Sequence, residues 1–100
     1  MFIYNVTVKI DKRREAEWLD WMKTNHIPAV MATGMFLQNE IFKLKFEDDD
    51  IGVNYSIQYR VKNMQDMMEY EQKHSKSLQV EHQELFGKHT VAFRTLLERI

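Results

Sequence analysis

Four histidines, His26, His74, His82 and His89, carry most of the chemistry open to this chain near neutral pH. An imidazole donates, accepts or shuttles a proton in that range. His26 stands two residues ahead of Pro28, where a helix must give up a backbone hydrogen bond. An irregular backbone there can free the side chain for acid–base work. The competing role is a structural histidine that bonds the interrupted backbone. His74 and His82 are eight residues apart, a little over two helical turns, and share a face with Leu78. Helical metal pairs sit at i and i+4, so no metal site is expected. Either imidazole can point into a pocket between helix and sheet, or sit as a hydrogen-bonded boundary residue. His26 and His74 are the candidate catalytic acid–bases. His89 should be exposed at the start of a strand.

A second set consists of Asn5, Thr7, Gln58, Arg60 and Arg94, which strand alternation can gather on one sheet face. Arg94 could hold a carboxylate or phosphate in a bidentate fork. The same residues could instead form a network across an interface, with Arg paired to Glu40 or Glu98. Asn5, Gln58, Arg60, His82 and Arg94 are therefore the candidate binding residues. Neither set contains an activated nucleophile or an unambiguous acid–base pair. The acidic run at 47–50 lacks calcium-loop spacing, because Tyr59 stands twelfth from Asp48 where a bidentate Glu would be needed. It reads as a solvated loop that also blunts edge-to-edge sheet pairing.

Composition narrows the classes. The 14 basic and 15 acidic residues leave a net charge of −1, which disfavours nucleic-acid binding by counterion release. No apolar run reaches the ~20 residues of a membrane helix. The basic cluster Lys12-Arg13-Arg14 follows the apolar start instead of leading it, so no signal peptide is expected and the cytoplasm is. With Cys 0, thiol catalysis and disulfides are excluded. One domain over residues 1–100 is expected. Gly 3 and Pro 1 are too few for a turn-rich sandwich and suit a few long elements.

Residues 2–10 alternate, with Tyr4, Val6, Val8 and Ile10 on one face of a strand. Asp11 can cap a helix over 12–24 whose apolar stripe includes Trp18, Leu19, Trp21 and Met22. Trp18 and Trp21 lie three apart on one helix side and should pack, with one edge at an interface. Pro28 should break or kink that helix near Asn25 and His26, with a short second piece over 28–32 and Gly34 in a left-handed position beyond it. Residues 35–46 alternate again, 47–52 read as a hairpin loop, and 53–61 give the clearest alternation. A helix with no internal Gly or Pro is expected over 64–86, with Gly87 just past its end. A last strand spans 89–98. The methionines, among them Met64, Met67 and Met68, read as adaptable filler.

The order β-α-β-β-α-β is the ferredoxin-like arrangement, an α+β fold with a four-stranded antiparallel sheet and both helices on one face. Val6, Val8, Ile10, Tyr55, Ile57, Tyr59, Val91 and Phe93 are expected to meet the helices. Ile3, Asn5, Thr7, Gln58, Arg60, Ala92, Arg94 and Leu96 are left on the open face. The face of the second strand stays unassigned. Leaving Ile3, Leu96, Leu37 and Ile41 in water is costly, which favours packing on a second copy in a closed dimer.

Several runs carry a family resemblance: Tyr4-Asn5-Val6-Thr7-Val8, Trp18-Leu19-Asp20-Trp21-Met22, His26-Ile27-Pro28, Thr33-Gly34-Met35-Phe36, Tyr55-Ser56-Ile57-Gln58-Tyr59 and Ala92-Phe93-Arg94-Thr95-Leu96-Leu97-Glu98. The chain resembles a small bacterial family of unknown function, similar in pattern to the dimeric α/β-barrel superfamily. That superfamily includes antibiotic-biosynthesis-type monooxygenases, haem-degrading enzymes and ligand-sensing domains. The resemblance implies the fold and a homodimer and brings no established activity. Haem-degrading relatives use a strand Asn and a helix His, which would cast Asn5 with His74 or His82. The second helix departs from them in having no Trp, only Tyr70 and Phe86. The leading functional expectation is a small-molecule binding module, with no resident cofactor and the ligand in the sheet–helix cleft or barrel mouth. The alternatives are a cofactor-free or haem-dependent monooxygenase or isomerase, with His26 or His74 as acid–base, and a structural interaction protein.

Overall fold

β1 (Phe2–Asp11) is the strand on which the sheet is built. It pairs antiparallel with β3 (Gly52–Val61) on one side and with β4 (Thr90–Glu98) on the other. β2 (Gln38–Lys43) extends the sheet beyond β3, giving the order β2-β3-β1-β4. The computed structural model describes residues 1–46 and 49–100. Four helices, α1 (Glu15–Trp21), α2 (Ile27–Ala32), α3 (Met64–Lys73) and α4 (Ser75–Phe86), cover one face of the sheet. This is the ferredoxin-like arrangement expected from the order of periodicities. No helix is long and apolar enough to cross a membrane among the described residues.

The core forms where strand alternation meets the helical stripes. Ile10, Trp18, Ile57 and Val61 are all 0% exposed. On β3, Val53, Tyr55, Ile57, Tyr59 and Val61 all face the helices and are buried, as their alternation requires. Tyr4, Phe36, Tyr59 and Tyr70 pack as an aromatic cluster, with Tyr4 and Phe36 stacked at 5.9 Å. Asp11 caps the first helical turn by accepting from the Arg13 N–H at 2.9 Å.

The structure corrects several expectations. In β4, Arg94 stands opposite Val6 and Ala92 opposite Val8. Ala92, Arg94 and Leu96 therefore lie on the helix side, while Val91, Phe93, Thr95 and Leu97 lie on the open face. Alternation identifies two sets on a strand, and the register against β1 decides where each goes. In β2, Gln38, Glu40 and Phe42 share the open face with Arg60, Gln58 and Ser56, so Ile41 turns inward to Ile57.

The helices also depart from the sequence reading. Pro28 does not break the first one. The chain widens into a π turn at Met22–His26, in which the Ile27 N–H donates to the Met22 carbonyl, and runs on into α2 with Pro28 in its first turn. The wider turn absorbs the missing proline N–H. The second helix is interrupted at His74, with φ −124°. There the Ser75 hydroxyl donates to the Glu71 carbonyl at 2.9 Å, competing for the acceptor of the helical ladder. Gly34 is left-handed, with φ 78°, but Gly87 is right-handed, with φ −57°. A Cβ at Gly87 would lie 2.2 Å from Gln83 Nε2, so the end of that flexible side chain would have to move aside. β2 is shorter than 35–46, because Phe46 adopts a positive φ of 67° that a strand cannot continue through. His89 is half-buried, not exposed. Of the loop expected at 47–52, residues 47 and 48 lie outside the described residues. Asp49 accepts from the Ile51 and Gly52 N–H groups and pairs with Lys9.

These placements give a direct stability contrast. Ile57→Ala should cost about 2–5 kcal/mol by chemical denaturation, since the cavity it leaves lies under packed helices. Val80→Ala, at a residue 46% exposed on α4, should change stability by no more than about 0.5 kcal/mol.

Candidate functional site

The inward turn of Arg94 brings it against the histidines. Arg94 lies over a narrow cavity of ≈ 30 Å³ whose walls include Tyr4, Val6, His26, Tyr70 and Gln79. That volume admits about one or two waters. Val6, opposite Arg94 in the sheet, is only half-buried because it lines this space. Two larger clefts flank Arg94. One, of ≈ 340 Å³, is lined by His82, Gln83, Lys76 and Ala92, and the other, of ≈ 280 Å³, by Met64, Met68, Glu71 and Leu96. Arg94 belongs to the walls of all three. Its guanidinium acts electrostatically on the Tyr4 hydroxyl, and among the described residues no carboxylate makes a salt bridge with it.

The π turn carries His26 into this wall. Its ring lies 5.2 Å from Trp21 and 5.9 Å from His82, centre to centre. Its Nδ1 is buried without a hydrogen-bond partner. Burial, reinforced by the nearby His82 and Arg94, pushes the His26 pKa down to about 4. His26 is therefore a neutral imidazole at pH 7. A buried polar atom with no partner costs about 1–3 kcal/mol, so its retention needs a reason other than stability.

His82 is held differently. The buried Trp18 indole donates to His82 Nε2 at 3.0 Å, which leaves the proton of the neutral ring on Nδ1. Burial, then Arg94, lowers its pKa. Tyr4 and Tyr70 both have raised pKa values, caused first by burial, so their hydroxyls stay protonated. The site is thus a guanidinium above neutral donors and acceptors, an arrangement suited to an organic anion.

The candidate residues separate into two groups. His26, His82 and Arg94 meet on the helix side. Asn5, Gln58 and Arg60 stay on the open face, so the single constellation with Arg94 does not form. There Asn5 Nδ2 donates to Thr7 and Thr95 at 3.1 Å each, and Asn5 Oδ1 accepts from Ser56 at 2.5 Å. Gln58 Nε2 donates to the same Ser56 hydroxyl at 3.3 Å. Asn5 is thus held in a network of neighbouring hydroxyls. His74, at the break between α3 and α4, stacks on Tyr70 at 6.3 Å and does not line the cavity. The sheet separates Asn5 from His74 and His82, so the Asn–His pair implied for haem chemistry does not form within a protomer, and the residues present do not fit that group. Among the described residues no group of three metal-ligating side chains converges. Sequence reasoning missed Trp18, Tyr4 and Tyr70 as parts of the site. The one available signal was that a core indole N–H needs an acceptor, and a helix histidine is the natural one.

The profile of the family described as "Domain of unknown function (DUF4286)" matches residues 1–100, and the chain belongs to that family. Comparison with curated proteins returns no match. Among solved structures, the chain is similar to an ethyl tert-butyl ether degradation (EthD) family protein from Bacillus halodurans, with 8% identity, 100% of both chains covered and a TM-score of 0.69. It is also similar to a dimeric ferredoxin-like protein from an uncultured marine organism, at 10% identity over 100% of this chain and 95% of that one, TM-score 0.64. A third is SnoaB, a cofactor-independent oxygenase from Streptomyces nogalater, at 9% identity over 98% and 92% of the two chains, TM-score 0.63. At these identities the likeness is one of fold.

Two results should follow from the orphaned imidazole. His26→Leu should leave Tm unchanged or raise it, because it removes an unpaired buried polar atom; a loss as large as that of a core truncation would make His26 structural. For the pH dependence, His26 binds its proton more weakly folded than unfolded. Its contribution to stability is therefore intact above the ordinary imidazole value of 6.5 and is lost as pH falls toward about 4. Denaturation midpoints across that window should fall more steeply for the native chain than for His26→Leu.

Proposed function

We propose that this member of the DUF4286 family is a homodimer whose protomers each bind a small organic anion in the helix–sheet cleft. One observation carries the ligand reading: His26 Nδ1 is buried without a partner in a cavity walled by Arg94, which among the described residues makes no salt bridge. An anion between Arg94 and the His26–His82 pair would complete both. Such charge-assisted bonds are about twice as strong as neutral ones.

The dimer reading rests on the open face. Val91 is 71% exposed, Phe93 59%, Leu97 46% and Phe42 46%, and all four lie on that one side. An apolar patch of this kind marks an interaction surface. A two-fold pairing of the same face would bury it against itself, around the Asn5–Ser56–Thr95 network. The likeness to a dimeric ferredoxin-like protein points the same way. An enzymatic reading, a cofactor-free oxygenase or isomerase with His26 as base, is favoured by its neutral imidazole at the cavity wall and by the likeness to a cofactor-independent oxygenase.

Sedimentation at micromolar concentration should give a dimer, and Phe93→Asp should convert it to a folded monomer. A native chain that sediments as a monomer would remove the dimer reading. For the ligand, benzoate should change the emission of Trp18 and Trp21, which both touch the histidine pair, and Arg94→Gln should weaken that response about tenfold or more. An unresponsive native protein would sink the anion reading. Dioxygen uptake with an ionisable aromatic substrate, abolished by His26→Leu, would mark the enzymatic one.

A further inference from the structure

Arg94 divides two clefts of unlike chemistry. On one side lie Lys76, Gln79 and Gln83. On the other lies a shelf of thioethers and aliphatic carbon, with Met64 41% exposed, Met68 53% and Leu96 42%, beside the buried Met67. Three methionines in a five-residue stretch of α3 face a cleft of ≈ 280 Å³ that ends on a guanidinium. Unbranched, polarisable side chains adapt to apolar guests of varied shape, as at other permissive binding surfaces. Leaving them in water beside an available charge is costly for a chain whose core is otherwise well filled.

We propose that the ligand is an amphiphilic monocarboxylate, with its head group on Arg94 beside His26 and its apolar body along the shelf of Met64, Met67 and Met68. This deepens the cleft reading above and rests on it. Arg94 stands at the junction of the shelf and the narrow cavity, so a head group there meets the guanidinium and the imidazole wall together, while the body leaves toward the methionines. Glu71 lies at the Arg94 end of this cleft, where it acts on the Tyr4 and Tyr70 hydroxyls. A second carboxylate at the far end of the ligand would lie along the apolar methionine shelf with no partner, so a single terminal charge is selected. A hydroxyl head would leave Arg94 uncompensated.

The test is a titration with hexanoate, octanoate, octan-1-ol and octanedioate, followed by tryptophan emission and by NMR of the methionine methyl groups. Octanoate should bind about tenfold tighter than hexanoate, as two added methylenes in apolar surroundings require. Octan-1-ol and octanedioate should each be weaker than octanoate by about tenfold or more. The Met64 and Met68 methyl signals should move with octanoate. Met68→Gln, at an exposed site that does not threaten the fold, should flatten the dependence on chain length while keeping the hexanoate response. Acetate binding as tightly as octanoate, with tryptophan emission responding and methionine signals still, would overturn the amphiphile and leave the cleft reading standing. Octanoate bound equally well by Arg94→Gln would overturn the assigned head-group site. No response of tryptophan or methionine to any of the acids would remove both readings.

Discussion

Val6 of β1 stands between Ile57 of β3 and Arg94 of β4, and this row of three ties the chemistry to the fold. Side chains on a strand alternate between faces, so a one-residue slip of β4 would invert its whole pattern. In the observed register Arg94 is sent beneath the helices, where it meets His26 and His82, and Phe93 is sent outward. The slipped register would bury Phe93 and expose the arginine. It would fill the core better and remove both the cleft and the apolar open face. The central position of β1, bonded on both edges along nearly its whole length, holds the arrangement in place.

The helix side is built from opposing demands on one small space. Trp18 must bury its indole and satisfy its N–H, and His82 Nε2 takes that bond. Pro28 must lose a backbone donor, and the π turn that absorbs the loss swings His26 inward. Tyr4 and Tyr70 bring hydroxyls to an otherwise apolar wall. Among the described residues one buried side-chain polar atom has no partner, His26 Nδ1, and it faces the same cavity as Arg94, which makes no salt bridge there. Elsewhere the fold satisfies its polar groups closely, as in the Asn5 network, where one amide serves three hydroxyls. The contrast between the bonded Asn5 network and the unpartnered His26 Nδ1 is what the proposed division into an assembly face and a binding cleft rests on.

Much of this was legible in the residues. β3 could be placed and faced from sequence because Val53, Tyr55, Ile57, Tyr59 and Val61 alternate with strongly polar neighbours. β4 could be located but not faced. Both of its sets are amphipathic, and its more apolar one, with Val91, Phe93 and Leu97, points away from the protomer's own core. Periodicity reports which residues avoid water and cannot say whose surface they meet. The His74 break carries no glycine or proline, since it arises from a serine hydroxyl competing for a backbone carbonyl. His26 was singled out correctly as irregular through Pro28, although the helix widens there and does not break. The methionines, read as filler, lie half in the core and half on the cleft, a distinction set by the position of Arg94 on another strand.

The central claim is that His26 and His82 form a neutral pair awaiting an anion beside Arg94. Long-range ¹⁵N–¹H NMR of the histidine rings across pH 4 to 7 reads it directly, since ring nitrogen shifts report protonation and tautomer separately. At pH 6 His26 should be neutral, and at pH 7 His82 should carry its proton on Nδ1 with Nε2 accepting from Trp18. Addition of octanoate should shift His26 and leave the His82 tautomer unchanged. A His26 ring found protonated at pH 6 without ligand, or insensitive to the acid while Arg94 responds, would contradict the account.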